Sequence, residues 1–165
     1  SDVLSDGERK EVDLPYPLLR RVLSEGQESL DAVTEPRLLH WDLWDGNIFV
    51  DAQGQITGII DFERALYGDP LMEHGFMELH PEFLSGYGKS ELEAPKGQVR
   101  RRLYNLYLFL IMSIEGYYRH YTDPWAEQWG RAKAKEALIS LGADESEMGS
   151  LAGAVLPGPW SGSAS

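Results

Sequence analysis

Three residues of this chain stand at spacings that suit phosphoryl transfer: Asp42, Asn47 and Asp61. They lie in His40-Trp41-Asp42-Leu43-Trp44-Asp45-Gly46-Asn47 and, fourteen residues after Asn47, in Ile59-Ile60-Asp61-Phe62-Glu63. A carboxylate at Asp42 could orient an attacking hydroxyl and accept its proton. The amide oxygen of Asn47 and the carboxylate of Asp61 are hard oxygen donors of the kind magnesium takes. Asp and Asn also serve loops as caps and turn formers, so the motif acquires chemical meaning only through what surrounds it.

The surroundings supply a means of convergence. Asn47-Ile48-Phe49-Val50 is rich in β-formers, Asp51-Ala52-Gln53-Gly54 is a turn, and Gln55-Ile56-Thr57-Gly58-Ile59-Ile60-Asp61 is a second β-rich run. A hairpin centred near Gly54 places Asn47 opposite Asp61, close enough to share one ion. Asp61 follows an apolar strand and has no basic neighbour before Arg64. Burying such a carboxylate unpaired is costly, and a divalent ion would offset the cost.

The flanking elements read mostly as helices. Residues 1–14 are polar and are expected to be irregular. After Pro15 and Pro17, the stripe Leu18, Leu19, Val22, Leu23, Leu30 and Val33 predicts a helix, weak at Gly26 and stopped by Glu35-Pro36. Arg37 to His40 reads as extended. Asp69 and Pro70 suit the cap and first position of a helix carrying Leu71, Met72, Gly75 and Phe76. Residues 81–98 read as a loop with room for one helical turn. Leu103, Leu106, Tyr107, Leu110, Ile111, Ile114 and Tyr118 predict a core helix over 99–121, and a second helix runs from Trp125 to Leu141 before Gly142. From Gly149 the Gly, Pro, Ser and Ala content predicts a flexible tail, 149–165. The fold class is mainly α with a small β-hairpin (α+β), its body spanning 15–148.

The chain has 165 residues, enough for one domain with a core. It has no cysteine, so disulfides and thiolate metal sites are excluded, and His40, His74, His80 and His120 do not take the spacing of a zinc helix. A net charge of -12 argues against a nucleic-acid partner. The one compact basic run, Arg100-Arg101-Arg102, reads as a solvated helix face. An acidic surface favours cationic small molecules, and Glu73, Glu78 and Glu115 are carboxylates that could hold an amine. The acidic N-terminus lacks a leader pattern and the apolar run 106–114 is half a membrane span, so no membrane partner and a cytoplasmic location are expected. A chain that begins with Ser suggests a processed product or a fragment.

Leu38-Leu39-His40-Trp41-Asp42-Leu43-Trp44-Asp45-Gly46-Asn47-Ile48-Phe49-Val50, then Gly58-Ile59-Ile60-Asp61-Phe62-Glu63, then Tyr67-Gly68-Asp69-Pro70, resembles the aminoglycoside phosphotransferase and choline kinase family. These are small-molecule kinases of the protein-kinase-like, two-lobed fold. The strong match spans residues 37–76. The resemblance implies a catalytic loop at 40–47 and a metal-binding segment at 59–63. It implies Asp42 as catalytic base, Asn47 and Asp61 as magnesium ligands, and His40 as a brace for the loop. Asp69 would cap the next helix and order the loop. Glu63 could reach metal or substrate, and Trp44, like Trp41, could pack the loop or flank the acceptor. Trp41 stands where the family most often has Gly. The implied cofactor is Mg2+, with ATP or GTP as co-substrate. The implied acceptor is a hydroxyl of an amino-alcohol, aminoglycoside or sugar-like molecule.

A kinase of this fold also needs a β-rich N-terminal lobe with a phosphate loop and a strand lysine. Thirty-nine residues precede His40, most of them read as one helix, and Lys10 is the one lysine among them. The chain therefore reads as the C-terminal lobe, with two functional expectations. It is the lobe of a small-molecule kinase, inactive without the N-lobe, or a non-catalytic binding module derived from one. A magnesium-dependent phosphohydrolase is a weaker third reading. An apolar patch near the hairpin, with self-association, is expected if the N-lobe is missing.

Overall fold

The computed structural model describes residues 2–73, 77, 79–87, 92 and 94–159. The architecture is mainly helical with a small antiparallel β part. In chain order the helices are α1 (Asp2–Arg9), α2 (Tyr16–Glu25), α3 (Gln27–Leu30), α4 (Pro81–Tyr87), α5 (Pro95–Arg119) and α6 (Trp125–Ser140). The strands are β1 (Arg37–Leu39), β2 (Ile48–Val50), β3 (Ile56–Ile59) and β4 (Leu66–Gly68). Two compact units result, Ser1–Gln27 with Arg102–Ser165, and Glu28–Arg101. Among the described residues no helix is long and apolar enough to cross a membrane.

The first unit is held by apolar packing. Leu18, Leu19 and Val22 on α2, Leu103, Leu106, Phe109, Leu110 and Ile114 on α5, and Ala132, Ala134, Ala137 and Leu138 on α6 are all buried. The recurrence at three and four residues is the core stripe of a helix. Tyr107 and Tyr118, expected in that stripe, sit at its rim and are partly exposed. Gly26 lies between α2 and α3, and a side chain there would run into Leu103. Two expectations are corrected here. Residues 2–9 are a helix, not irregular chain, because Leu4, Val12 and Leu14 anchor an otherwise polar segment in the core. Residues 149–151 form a 3-10 turn with Met148 and Leu151 fully buried, so the small-residue composition conceals two apolar anchors.

The second unit has the opposite character. Its buried residues include Leu39 and Leu71, but also His40, Asn47, Asp69, Glu73 and Arg100. Leu38, Phe49, Val50, Ile56, Ile60, Phe62 and Tyr67 are exposed. The β part holds two ladders where one hairpin was expected: β1 pairs with β4, and β2 with β3. The expected helix after Asp69 begins as a 3-10 turn, Pro70–Met72; Gly75 and Phe76 lie outside the described residues. The expected loop 81–98 contains α4 and the start of α5.

Gly130 lets α6 pack tightly on α5. An added Cβ would lie 2.8 Å from the Phe109 carbonyl oxygen and 2.9 Å from Ser113 Oγ. Backbone cannot give way as a flexible side chain can, so overpacking outweighs the helix preference of Ala, about 1–3 kcal/mol against about 1. Gly130→Ala is therefore expected to lower the urea midpoint. Gly86→Ala on α4, where nothing lies within 4 Å, should hold or raise it. Equal shifts would refute the close-approach account.

Candidate active site

Two segments, 40–47 and 60–65, lie between the two ladders. At one end β1 and β4 pair Leu39 with Leu66; at the other β2 and β3 pair Ile48 with Ile59. With both ends joined, the segments must run side by side. The hairpin turn is closed by Asp51, whose Oδ1 accepts from Gln53 N at 2.9 Å and Gln55 N at 2.8 Å, and by Gly54 at φ +79°. Between Phe49 and Val50 the register shifts by one residue. The expected pairing of Asn47 with Asp61 is corrected: the tip pair Val50–Ile56 centres the bend on Gln53, one residue before Gly54, and the bulge recovers only part of that offset. Asn47 instead faces Ile60, whose N–H donates to the Asn47 carbonyl at 3.1 Å, and Asp61 comes next in the chain.

His40 joins the two segments. Its Nε2 lies 2.8 Å from the Ile60 carbonyl oxygen, and its Nδ1 accepts from Asp42 N at 3.3 Å. A carbonyl can only accept and a backbone N–H can only donate, so the ring is the neutral tautomer with hydrogen on Nε2. The ring also meets Phe62 edge-on, with centroids 4.4 Å apart.

The main chain of Asp42 is held on both sides. Its N–H donates to His40, and its carbonyl accepts from Asn47 Nδ2 at 2.8 Å and from Trp44 N at 3.1 Å. Its carboxylate has no hydrogen bond or ion pair among the described residues. The Asn47 bond also fixes the amide orientation, since only the nitrogen can donate, and leaves Oδ1 as the atom able to accept or coordinate. Trp44 is exposed, and its indole occupies the space a side chain on Gly46 would need.

Asp61 adopts φ +64°, ψ +57° and heads the 3-10 turn Phe62–Arg64 without a side-chain cap bond. Asp tolerates this left-handed geometry better than most residues. Glu63 is exposed on the same turn. Among the described residues no group of three or more His, Cys, Asp or Glu side chains converges to hold an ion.

Asp69 heads the 3-10 turn Pro70–Met72. Its Oδ1 caps the turn through Leu71 N at 3.0 Å, and its Oδ2 accepts from Arg100 Nε at 2.6 Å. Both side chains of this ion pair are nearly inaccessible, 5% and 3% exposed. The reading of Arg100 as solvated is thus corrected. It lies three residues before Leu103, on the buried stripe of α5, and charge composition carries no sign of that. Glu73 is the other unforeseen contributor. It directly follows the turn capped by Asp69, is buried, and accepts from His40 N at 2.8 Å and Trp41 N at 3.0 Å. A contact across thirty-three residues leaves no local pattern to read. Glu78, named with it, lies outside the described residues, and Glu115 faces Arg119 at 3.6 Å. Burial, then the Glu73 and Asp69 carboxylates, raise the Tyr87 phenol above its ordinary value, which keeps that hydroxyl neutral.

The sequence model of the phosphotransferase enzyme family matches residues 6–103, and the chain belongs to that family. It is 40% identical over 81 residues to a probable ketoamine kinase of Vibrio parahaemolyticus, covering 46% of this chain and 27% of that protein. It is 40% identical over 82 residues to the chloroplastic protein-ribulosamine 3-kinase of Oryza sativa subsp. indica, covering 48% and 23%. The chain thus matches about a quarter of the length of these curated relatives. Among solved structures it is similar in fold to a thermostable mutant of aminoglycoside phosphotransferase APH(4)-Ia. The apo form gives a TM-score of 0.51 at 22% identity, over 76% of this chain and 46% of that one. The ternary complex with AMP-PNP and hygromycin B gives 0.52 at 21%, over 76% and 45%.

Two variants test the geometry. Arg100→Met strands a buried carboxylate and should cost about 3–5 kcal/mol in urea unfolding. Lys96→Met removes an exposed partner of Glu28 and should leave the midpoint nearly unmoved; similar losses would contradict the burial. His40→Phe keeps ring bulk against Phe62 but loses both backbone bonds. Amide exchange at Asp42 should then quicken while exchange at Leu138 holds, and an unchanged Asp42 rate would remove His40 as the joint.

Proposed function

We propose that this chain carries the catalytic loop and ion-binding segment of a small-molecule kinase, corresponding to the helical C-terminal lobe of the fold. One observation carries the reading. The Asp42 main chain is fixed by the side chains of His40 and Asn47, while its carboxylate is left uncommitted beside the segment that bears Asp61. A proton acceptor whose position is set by its backbone, and not by partners on its own carboxylate, can meet a substrate hydroxyl without first breaking a bond.

In this reaction the acceptor oxygen bonds to the terminal phosphorus of ATP or GTP. The bridging P–O bond breaks, the nucleoside diphosphate leaves with its electrons, and the hydroxyl proton passes to Asp42. Asn47 Oδ1 and the Asp61 carboxylate fit a magnesium ion: both are hard oxygen donors, and magnesium takes few protein ligands when phosphates complete its shell. Such an ion, when bound, offsets negative charge on the phosphates. With no wider carboxylate cluster among the described residues, ion binding here should depend on the nucleotide. His40 is assigned as brace and Asp69 as the cap that orders the turn before Glu73. Trp44 and Glu63 are assigned to the rim, where an acceptor would pass.

The named relatives support a ketoamine as the acceptor class. Ketoamines, in which a sugar-derived polyol is joined to an amine, combine hydroxyls with a cationic nitrogen that suits an acidic protein. The test is nucleotide turnover by the chain, and by any longer polypeptide that carries it, with Mg2+ and ketoamines, amino-alcohols and aminoglycosides. Asp42→Asn should cut kcat by about 10²–10⁴-fold and spare nucleotide binding. Asp61→Asn should abolish nucleotide-dependent Mn2+ binding and nearly all turnover. Normal turnover by Asp42→Asn would remove the base assignment. Ligand binding without phosphoryl transfer in every form would favour the non-catalytic module.

A further inference from the structure

Helix α5 ends on a left-handed residue that carries a side chain: His120 has φ +56°, where Gly is the commoner choice. The chain turns back there, and Tyr121 N–H donates to the Gly116 carbonyl at 3.2 Å. This brings Tyr121 over Gly116. A Cβ added to Gly116 would lie 3.8 Å from the Tyr121 ring, which is ordinary contact distance. Packing therefore does not demand Gly at this point, although Gly weakens a helix interior relative to Ala. What the missing side chain leaves is room. A cavity of about 250 Å³ opens between the end of α5, the connection that follows and the start of α6, all within the first unit.

The walls of this cavity suit a cation. Met112 and the rings of Tyr117 and Tyr121 supply apolar surface, Asp123 and Glu127 supply carboxylates, and among the described residues no Lys or Arg lines it. The carboxylates are only half used. Asp123 Oδ1 accepts from Trp125 N at 2.9 Å, and Glu127 Oε1 accepts from Tyr117 Oη at 3.1 Å and Arg131 Nε at 3.0 Å. Arg131 thus offsets part of the charge on Glu127 through one oxygen. Asp123 Oδ2, Glu127 Oε2 and the Tyr121 hydroxyl take no hydrogen bond among the described residues. Free carboxylate oxygens call for N–H donors, and an ammonium has three donors and no acceptor. The phenol rings attract the same charge through their faces. The volume falls short of the roughly 300–1,000 Å³ of a drug-sized site, so the fitting ligand is small.

We infer that this cavity binds the ammonium end of a small primary alkylamine, held by the free oxygens of Asp123 and Glu127 with its carbon chain against Tyr117, Tyr121 and Met112. The site shares no residue with the catalytic loop, and the inference does not rest on the kinase reading.

The test is an NMR titration of the intact, isotope-labelled chain with n-butylammonium chloride. Sodium chloride at equal ionic strength and 1-butanol are the controls. Saturable amide shifts are expected at residues 116, 117, 121, 123 and 127, with Kd in about the millimolar range for so small a ligand. Neither control should give shifts that saturate. Asp123→Asn keeps an equally good cap on α6 and removes one charge, and should weaken binding about threefold or more. Gly116→Ala puts a methyl group into the cavity. It should weaken binding while the urea midpoint holds or rises, since Ala favours the helix. The site is overturned by an absence of saturable shifts, by an equal response to 1-butanol, or by unchanged affinity in either variant. It is also overturned by a fallen midpoint in Gly116→Ala, which would mean that packing requires the glycine. Shifts confined to residues 40–47 would place the amine at the catalytic loop and overturn it as well.

Discussion

The second unit depends on one imidazole. His40 reaches Ile60 with one nitrogen and Asp42 with the other, so a single ring holds two chain segments in register. The two ladders bring those segments alongside each other, but strands of three and four residues fix position only coarsely. The final placement belongs to side chains bonded to main chain. His40, Asn47 and Glu73 each bind a backbone group of the 40–42 segment or its partner. Such bonds set the backbone itself, which an apolar contact between side chains does not.

This construction has an energetic character of its own. A hydrogen bond contributes about 1 kcal/mol net, but a buried donor left without its acceptor costs more than that. A unit whose interior holds His40, Asn47, Asp69, Glu73 and Arg100 is therefore sensitive to single losses and gains little from any one bond. The buried Asp69–Arg100 pair follows the same logic. It need not stabilise relative to an apolar pair, yet it tolerates no half-removal. Beyond it runs a line of support: Arg100 holds Asp69, Asp69 caps the turn, and the turn delivers Glu73 to the loop. The first unit, packed from leucines and alanines on α2, α5 and α6, yields to substitution more gradually.

What the sequence revealed divides along the same line. Helices α2, α5 and α6 were legible because periodic burial writes itself into residue spacing. The hairpin was legible because β-formers flank an Asp-to-Gly turn. The pairing within it was legible to within one residue, since neither the bend centre at Gln53 nor the bulge between Phe49 and Val50 has a sequence marker. The α1 helix and the anchors Met148 and Leu151 were hidden by polar or small neighbours. Glu73 and Arg100 were hidden for a different reason. A charged residue reads as surface until its partner is known, and these partners lie 33 and 31 positions away. Asp42, Asn47 and Asp61 drew notice through spacing, but the sequence did not show that Asn47 would hold the Asp42 carbonyl.

The bulge also bears on how such a chain can change over generations. The slip between Phe49 and Val50 lies on the tip side of the Ile48–Ile59 pair, so the rungs nearest His40 are insulated from the length of the bend at 51–55. Descendants could lengthen or reshape that bend, and acquire new surfaces there, without moving the carboxylates. In this respect the hairpin separates what must be inherited unchanged from what is free to diversify.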